Sequence, residues 1–354
     1  MTVTTTPGPV NTTLDVGQAQ YLRKASLVVL QDTTQDFPAT LLGNKATANQ
    51  ALDLSQLRFS FQTANQLEAG PDNCSVRVYN PSPTTIQSLL KYQNSRLIVQ
   101  AGYDPNFGII FQGDIKQYRT GRLNETDTYI DILAADGDIA FNRATVAATL
   151  SKTQNTVDGI VGALNNALKD ANANVSISAD QTALKSGVLP QAFRGKVLMG
   201  LFRQQMRFLA DTLVSRWTIS NGQVIVVNTD SYVGGPPVIL NQATGLLGIP
   251  EATQDGIKCR CLINPRIKIG TTVQINNQLI NQTLGGVKSF FPGVQIPFDQ
   301  FSGIAGYANV THDGLYMVYI CEHVGDTRGN DWESRLTLLA IDNTSKNVIA
   351  SGTS

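Results

Sequence analysis

Any chemistry in this 354-residue chain has to be sought among two histidines, four cysteines and a scatter of strand-end carboxylates. His312 and His323 form no His-Glu-x-x-His helix, and no spacing pairs them with the cysteines as a zinc site would require. His323 lies between Glu322 and Asp326, neighbours that a general base would use. A hydrogen-bonded histidine within a strand accounts for the same spacing and is the preferred reading. Cys259 and Cys261 are two apart, so a strand puts them on one face. With Cys74 and Cys321 they read as small buried hydrophobes in a reducing compartment. Asp104, Asp114, Glu125, Asp131 and Asp136 fall near strand ends. Two carboxylates about 5–10 Å apart would suffice for a glycosidase, but such residues in β-rich chains mostly form turns or solvated faces. No Gly-x-Ser-x-Gly elbow occurs, and no phosphate cradle is found at a strand–helix junction among the 30 glycines. The residue types therefore nominate no catalytic residue, no cofactor ligand and no metal ligand.

Charge adds no partner of its own. Lys plus Arg and Asp plus Glu are 27 each, and charged residues are only 15% of the chain against 42% hydrophobic. Such a balance leaves no electrostatic footprint for nucleic acid or an anionic membrane. It also leaves little charge to keep copies apart, which suits a surface built to assemble. Arg58, Arg77, Lys116, Arg119 and Arg122 are dispersed, without the interleaved aromatics of a single-strand platform. Met1 to Asn11 lacks a basic start and an apolar run, and no stretch reaches membrane-spanning length. Synthesis in a cytoplasm without export by a standard signal is the expectation.

The elements that would position these residues divide the chain. Residues 1–16 are rich in Thr, Pro and Gly and read as a flexible arm. Residues 17–145 are dominated by strand signals, with Leu57, Phe59 and Phe61 alternating against Arg58, Ser60 and Gln62. Cys74, Val76 and Val78 alternate likewise, and Leu97–Ala101, Ile109–Ile115 and Tyr129–Ala134 are further strands. Gly102, Gly113 and Asn124 are placed near turns, and Thr84–Lys91 is a short helix with Leu89 and Leu90 inward. Residues 146–235 change character. Ile160, Val161, Leu164 and Leu168 have helical spacing, and Leu198, Leu201, Phe202, Gln205, Leu209 and Leu213 suggest a second amphipathic helix. Asn221-Gly222 between two β-branched runs predicts a tight hairpin. Residues 236–345 are β-rich again, with strands at Gly256–Ile263, Thr271–Asn276, Leu315–Glu322 and Trp332–Ile341, and 346–354 form a tail. A Gly-rich segment, 283–311, carries Phe290, Phe291, Phe298 and Phe301, as a partner contact or as a satellite core. Asp127–Asp136 and Asp331–Asp342 echo each other, each closing a β region after a turn rich in Gly, Arg and Asn.

Four passages in order carry a family resemblance. The closing hairpin reads His323-Val324-Gly325-Asp326-Thr327-Arg328-Gly329-Asn330-Asp331-Trp332. Before it come Val76-Arg77-Val78-Tyr79-Asn80 leading to Ala101-Gly102-Tyr103, then Phe111-Gln112-Gly113-Asp114-Ile115 with Leu133-Ala134-Ala135-Asp136. The fourth is Gly245-Leu246-Leu247-Gly248-Ile249-Pro250 with Leu262-Ile263-Asn264-Pro265 and Gly270-Thr271-Thr272-Val273. Together they resemble the baseplate hub proteins of tailed bacteriophages, including those like phage late control protein D. The resemblance implies a mainly β fold with an α+β insertion, in which two tail-tube-like β-barrels flank a small α/β domain. It further implies a structural, non-enzymatic virion protein of the tail baseplate, assembled in the host cytoplasm as a homotrimer. Its implied partners are the tail tube or distal tail protein, the central spike, the tape measure protein and the baseplate wedge. The trimer would adapt a sixfold tube to a threefold spike around a channel. A tail-tip peptidoglycan hydrolase, and a carbohydrate-binding receptor module presenting Phe290, Phe291 and Trp332, are the alternatives.

Overall fold

The computed structural model describes residues 21–30, 51–91, 95–104, 106–185, 187, 194–229, 231–253, 256–275 and 314–341. The alternation at Phe59 and Phe61 becomes a strand with one buried face, and its neighbours repeat the pattern. In chain order the first group is β1 (Tyr21–Leu30), β2 (Ala51–Asp53), β3 (Phe59–Gln66), β4 (Asn73–Tyr79), helix α1 (Pro83–Lys91), β5 (Arg96–Asp104), β6 (Phe107–Arg122) and β7 (Thr128–Ala135). Ser82 starts α1 by accepting from the Thr85 N–H at 3.1 Å. The strands pair in the order β3-β4-β7-β6-β5-β1-β2, antiparallel throughout. Their shared core holds Phe59, Phe61, Phe111, Ile130 and Ile132.

A helical segment follows: α2 (Asp138–Asn142), β8 (Thr145–Leu150), α3 (Val157–Asp170), β9 (Ser176–Ile177), α4 (Thr182–Lys185), β10 (Lys196–Leu201), α5 (Phe202–Thr212), β11 (Ser215–Ser220) and β12 (Gln223–Asn228). The inward stripe of α3 is the sequence-expected set Ile160, Val161, Leu164 and Leu168, packed with Phe202, Met206 and Trp217 in a separate core. At the hairpin tip, Asn221 (φ 53°) and Gly222 (φ 75°) both take the left-handed backbone that a primed two-residue turn needs.

The last group is β13 (Val238–Leu240), β14 (Leu246–Thr253), β15 (Gly256–Cys261), β16 (Thr272–Ile275), β17 (Gly314–Asp326) and β18 (Trp332–Ala340). Its order is β14-β15-β18-β17-β16-β13, with a third core around Val273, Val318, Leu336 and Leu338. Set beside β3-β4-β7-β6-β5-β1, this is the same order of six strands used twice. The one orientation that differs is the last pair, antiparallel for β1–β5 and parallel for β13–β16. The two echoing sequence segments fall on β7 and β18, which hold equivalent places. The long strand β17 joins the groups. One edge pairs with β18, while the other pairs with β16 over Gly314–Met317 and with β3 over Ile320–Asp326. Among the described residues, thirteen strands thus form one continuous sheet.

Three expectations from the sequence are corrected. Leu198 and Leu201 lie on strand β10, and the helix begins only at Phe202. Gly200 between them has φ 123°, a conformation closed to an ordinary helical residue. Leu90 is 52% exposed, so that of the two only Leu89 points inward from α1. Gly113 sits inside β6 opposite Leu97, away from any turn. The 1–16 arm, the 346–354 tail and Phe290, Phe291, Phe298 and Phe301 lie outside the described residues.

Candidate functional site

The closing hairpin is where the two six-strand groups are fastened. Asp326 ends β17 and receives a bidentate Arg58, Nη2 at 2.7 Å and Nε at 3.2 Å. It also accepts the turn N–H groups of Arg328 (2.9 Å) and Gly329 (3.0 Å). Burial works against the charge on Asp326, yet Arg58 and these N–H groups prevail and hold its carboxyl below the usual range. Thr327 bonds Phe59 twice, donating its N–H to the Phe59 carbonyl (3.0 Å) and accepting the Phe59 N–H on its hydroxyl (3.1 Å). Arg23 reaches the Gly329 carbonyl at 3.0 Å. Trp332, at the start of β18, enters the core of the first group edge-on to Phe61, with ring centroids 5.6 Å apart. Gly325 permits this approach, since a Cβ there would lie 2.5 Å from the Phe61 ring. Gly325, Asp326, Thr327, Gly329 and Trp332 of the motif thus serve a joint between strands.

His323 is buried in the same hairpin. Its Nδ1 is 2.7 Å from Ser334 Oγ, its Nε2 is 3.4 Å from Cys321 Sγ, and its backbone N–H donates to Thr63 Oγ1 at 3.1 Å. Burial lowers its pKa to about 4, so the ring is neutral at ordinary pH. Glu322 and Asp326 are not its partners: Asp326 is held by Arg58, and Glu322 alternates to the opposite face. All four cysteines are free and buried, and burial pushes their thiols up, Cys259 to about 12. An inert thiol and a neutral imidazole shut away from solvent are packing elements. Among the described residues no group of three or more His, Cys, Asp or Glu side chains is placed to hold a metal ion.

The five strand-end carboxylates do not form one site. Asp104 pairs with Lys24 at 3.1 Å, Asp131 with Arg77 at 2.6 Å, and Glu125 is exposed in the β6–β7 turn. Asp114 and Asp136 do approach each other, and Asp72 joins them. Sequence reading passed over Asp72 because Pro71-Asp72-Asn73 looks like an ordinary turn. Here it is 2% exposed. Asp136 accepts the Gly222 N–H at 2.7 Å, so this trio lies under the β11–β12 tip. A hydrolase would need such carboxyls in an open cleft; Asp72 and Asp136 are buried between two packed bodies, and Asp114 is half-buried beside them. A trough of about 1240 Å³ lies elsewhere, along β14, β15, β18 and β17. Glu68, Glu251 and Glu322 line it among Arg216, Lys258, Arg260 and Arg335.

A site made of joints rather than reactive groups agrees with the comparisons to known proteins. The family described as baseplate hub gp41 matches residues 48–299, most of the chain. The chain belongs to that family. No curated protein sequence matches it. Among solved structures, the 43 kDa tail protein of prophage MuSo2 from Shewanella oneidensis is similar at 9% identity, over 90% of this chain and 99% of that one, with a TM-score of 0.51. The tail protein from Neisseria meningitidis MC58 is 8% identical over 89% of this chain and 96% of that one, TM-score 0.46. Prophage tail protein gp18 from Listeria monocytogenes EGD-e is 10% identical over 92% and 96%, TM-score 0.43. The first likeness shows a shared fold and nothing further.

For a baseplate hub, the surfaces matter more than any cleft. Three of the five basic residues noted in the sequence are paired with carboxylates: Arg58 with Asp326, Arg77 with Asp131, and Lys116 with Asp138 at 2.7 Å. Trp332, a candidate glycan platform in the receptor reading, is 3% exposed and unable to serve as one. No helix among the described residues is long and apolar enough to cross a membrane.

Proposed function

We propose that this chain is the central hub of a phage-tail baseplate, three copies closing into a ring around a channel that matches a sixfold tube above to a threefold spike below. The observation that carries the reading is the six-strand order used twice in a member of a baseplate hub family. Three chains with two such groups each present six similar faces, which is the count a sixfold tube requires, while the ring itself keeps threefold symmetry. The domains assigned to this reading are 17–145 and 236–345 as tube-like barrels and 146–235 as the α/β insertion. Among the described residues the strand path ends at β2, β13 and β14, edges that neighbouring copies would cover, removing a liability that a free sheet edge carries. The role is structural and non-enzymatic, in the virion. Its partners are the tube or distal tail protein, the spike, the tape measure protein and the wedge, with assembly in the host cytoplasm.

Electron-microscopy class averages of the purified chain, alone and with its candidate spike partner, test this. Threefold rings with a central channel are expected in at least the mixed sample. Compact monomers in both samples, or clearing of cell walls in a zymogram, would overturn the assignment.

A further inference from the structure

Three carboxyl groups and one guanidinium meet where the α/β segment rests on the large sheet. Asp72 and Asp136 are each 2% exposed, Asp114 flanks Asp136, and Arg96 is the cation beside Asp114 and Asp136. From the α/β side come the Gly222 N–H on Asp136 Oδ2 (2.7 Å), the Ser220 side chain on Asp72 and the Asn174 side chain on Asp114. Asp138 also faces Asp114 but is neutralised by Lys116 at 2.7 Å. The Asp136 N–H donates to the Asp72 carbonyl at 2.8 Å, and the Ile219 N–H to the Gly70 carbonyl at 3.3 Å, so backbone from both bodies is stitched through the seam. Oδ1 of Asp72, Oδ1 of Asp114 and Nε of Arg96 lack a hydrogen-bond partner among the described residues. Three ionised carboxylates against one guanidinium would leave two uncompensated negative charges in a buried seam. That is costly enough for the seam to hold protons instead.

We propose that this seam is a protonation-sensitive joint: the α/β segment sits most firmly on the sheet when Asp136 carries a proton, and its hold loosens when Asp136 is ionised. Burial pushes the Asp136 carboxyl up to about 7, against the opposing pull of the Gly222 N–H and Arg96. Asp72 is pushed up by burial as well, and the neighbouring Asp136 adds to this. The closed joint therefore binds the Asp136 proton more tightly than an opened one, whose carboxyl has its ordinary pKa. The stabilisation is complete below the ordinary value of 3.8 and is lost as pH rises toward about 7. Nothing in this depends on the oligomer or on tail partners.

Hydrogen exchange of the full chain at pH 5, 6, 7 and 8, corrected for the intrinsic rate, reads the joint directly at the amides of Ser220–Gln223. The Asp136 contribution to their opening constant is expected to rise about tenfold per pH unit from 5 to 6, then level off above 7. Asp136→Asn keeps an acceptor for Gly222 but cannot ionise, so its tip should lose the Asp136 share of that rise. Asp114→Asn removes a neighbouring charge that holds the Asp136 pKa up, so levelling should begin at lower pH. A wild-type tip indifferent to pH between 5 and 7, or the same slope in Asp136→Asn, overturns the proposal. Should Asp136→Asn fail to fold, an unmoved plateau in Asp114→Asn overturns it equally.

Discussion

Two joints hold this chain together, and each sets an aspartate against an arginine and the N–H of a tight turn. At the closing hairpin Asp326 meets Arg58 and the N–H groups of Arg328 and Gly329. Under the β11–β12 tip Asp136 meets Arg96 and the N–H of Gly222. The partners are nearly alike, yet Asp326 is a stronger acid than usual and Asp136 a weaker one. The difference lies in water. Asp326 keeps 14% of its side chain exposed beside an Arg58 that is 44% exposed, while Asp136 is 2% exposed and has two further carboxyls beside it. Bonds to a charged group favour it only when they outweigh its desolvation. The rim joint consequently wants its carboxylate charged, and the buried joint wants it neutral.

The largest test strikes the hydrophobic part of the rim joint. Trp332→Ala leaves a hole beside Phe61 and should cost about 3–5 kcal/mol in urea unfolding. Since Trp332 lies on β18 but packs in the other group's core, exchange protection should fall in β3 and β4 as well as in β18. Protection lost only within β14–β18 would break the picture of a shared joint. At the buried joint, Arg96→Met should cost about 2–3 kcal/mol, below the full cost of orphaning a buried charge because Arg96 is only partly buried. It should also move the Asp136 titration to higher pH, as Arg96 is what restrains it. A carboxyl-carbon NMR titration reads that shift, and movement to lower pH would contradict the comparison.

Asp326→Asn is the matched test at the rim, with an expected cost of about 1–2 kcal/mol near neutral pH, discounted for partial exposure. Here the sign reverses. A carboxyl whose folded pKa is lowered stabilises above its ordinary value of 3.8 and loses that contribution as pH falls through the folded value. The gap between wild type and Asp326→Asn should therefore close on acidification below 3.8. Widening of the gap on acidification would mean that Asp326 behaves like Asp136 after all.

Much of the rim joint was legible in the sequence, and little of the buried one. The Gly-Asp-Thr-Arg-Gly-Asn turn and the flanking alternation on β17 and β18 are local signals, readable without knowing what they touch. Asn221-Gly222 is equally local. What lies beneath that tip is not: Asp72, Asp114 and Asp136 are 42 and 22 residues apart in sequence and converge only because β4, β6 and β7 pair. A turn-like Pro71-Asp72-Asn73 gives no hint of its burial. Strand β10 was lost to helix α5 for a related reason, since apolar residues continue across the boundary and only Gly200 marks it. The repeated strand order left a faint trace at β7 and β18, because pairing order constrains alternation but not residue identity.

A paired prediction, whose second member is the smallest effect of all, isolates burial from residue type altogether. Leu89 and Leu90 are consecutive on α1, yet Leu89 is 1% exposed and Leu90 52%. The helix turns by about 100° between them, and the apolar stripe admits only the first. Leu89→Ala should destabilise by about 2–5 kcal/mol through lost transfer and a cavity in the first group's core. Leu90→Gln, a change between good helix formers on an open face, should stay within about 0.5 kcal/mol. The same thermal or urea series measures both. If Leu90→Gln cost as much as Leu89→Ala, the Leu90 side chain would have to be covered by something in solution, and α1 would then belong to an interface between molecules. If the two separate as stated, the rule drawn from Asp136 and Asp326 holds for apolar side chains as well: the environment, not the residue, decides the sign and size of what each contributes.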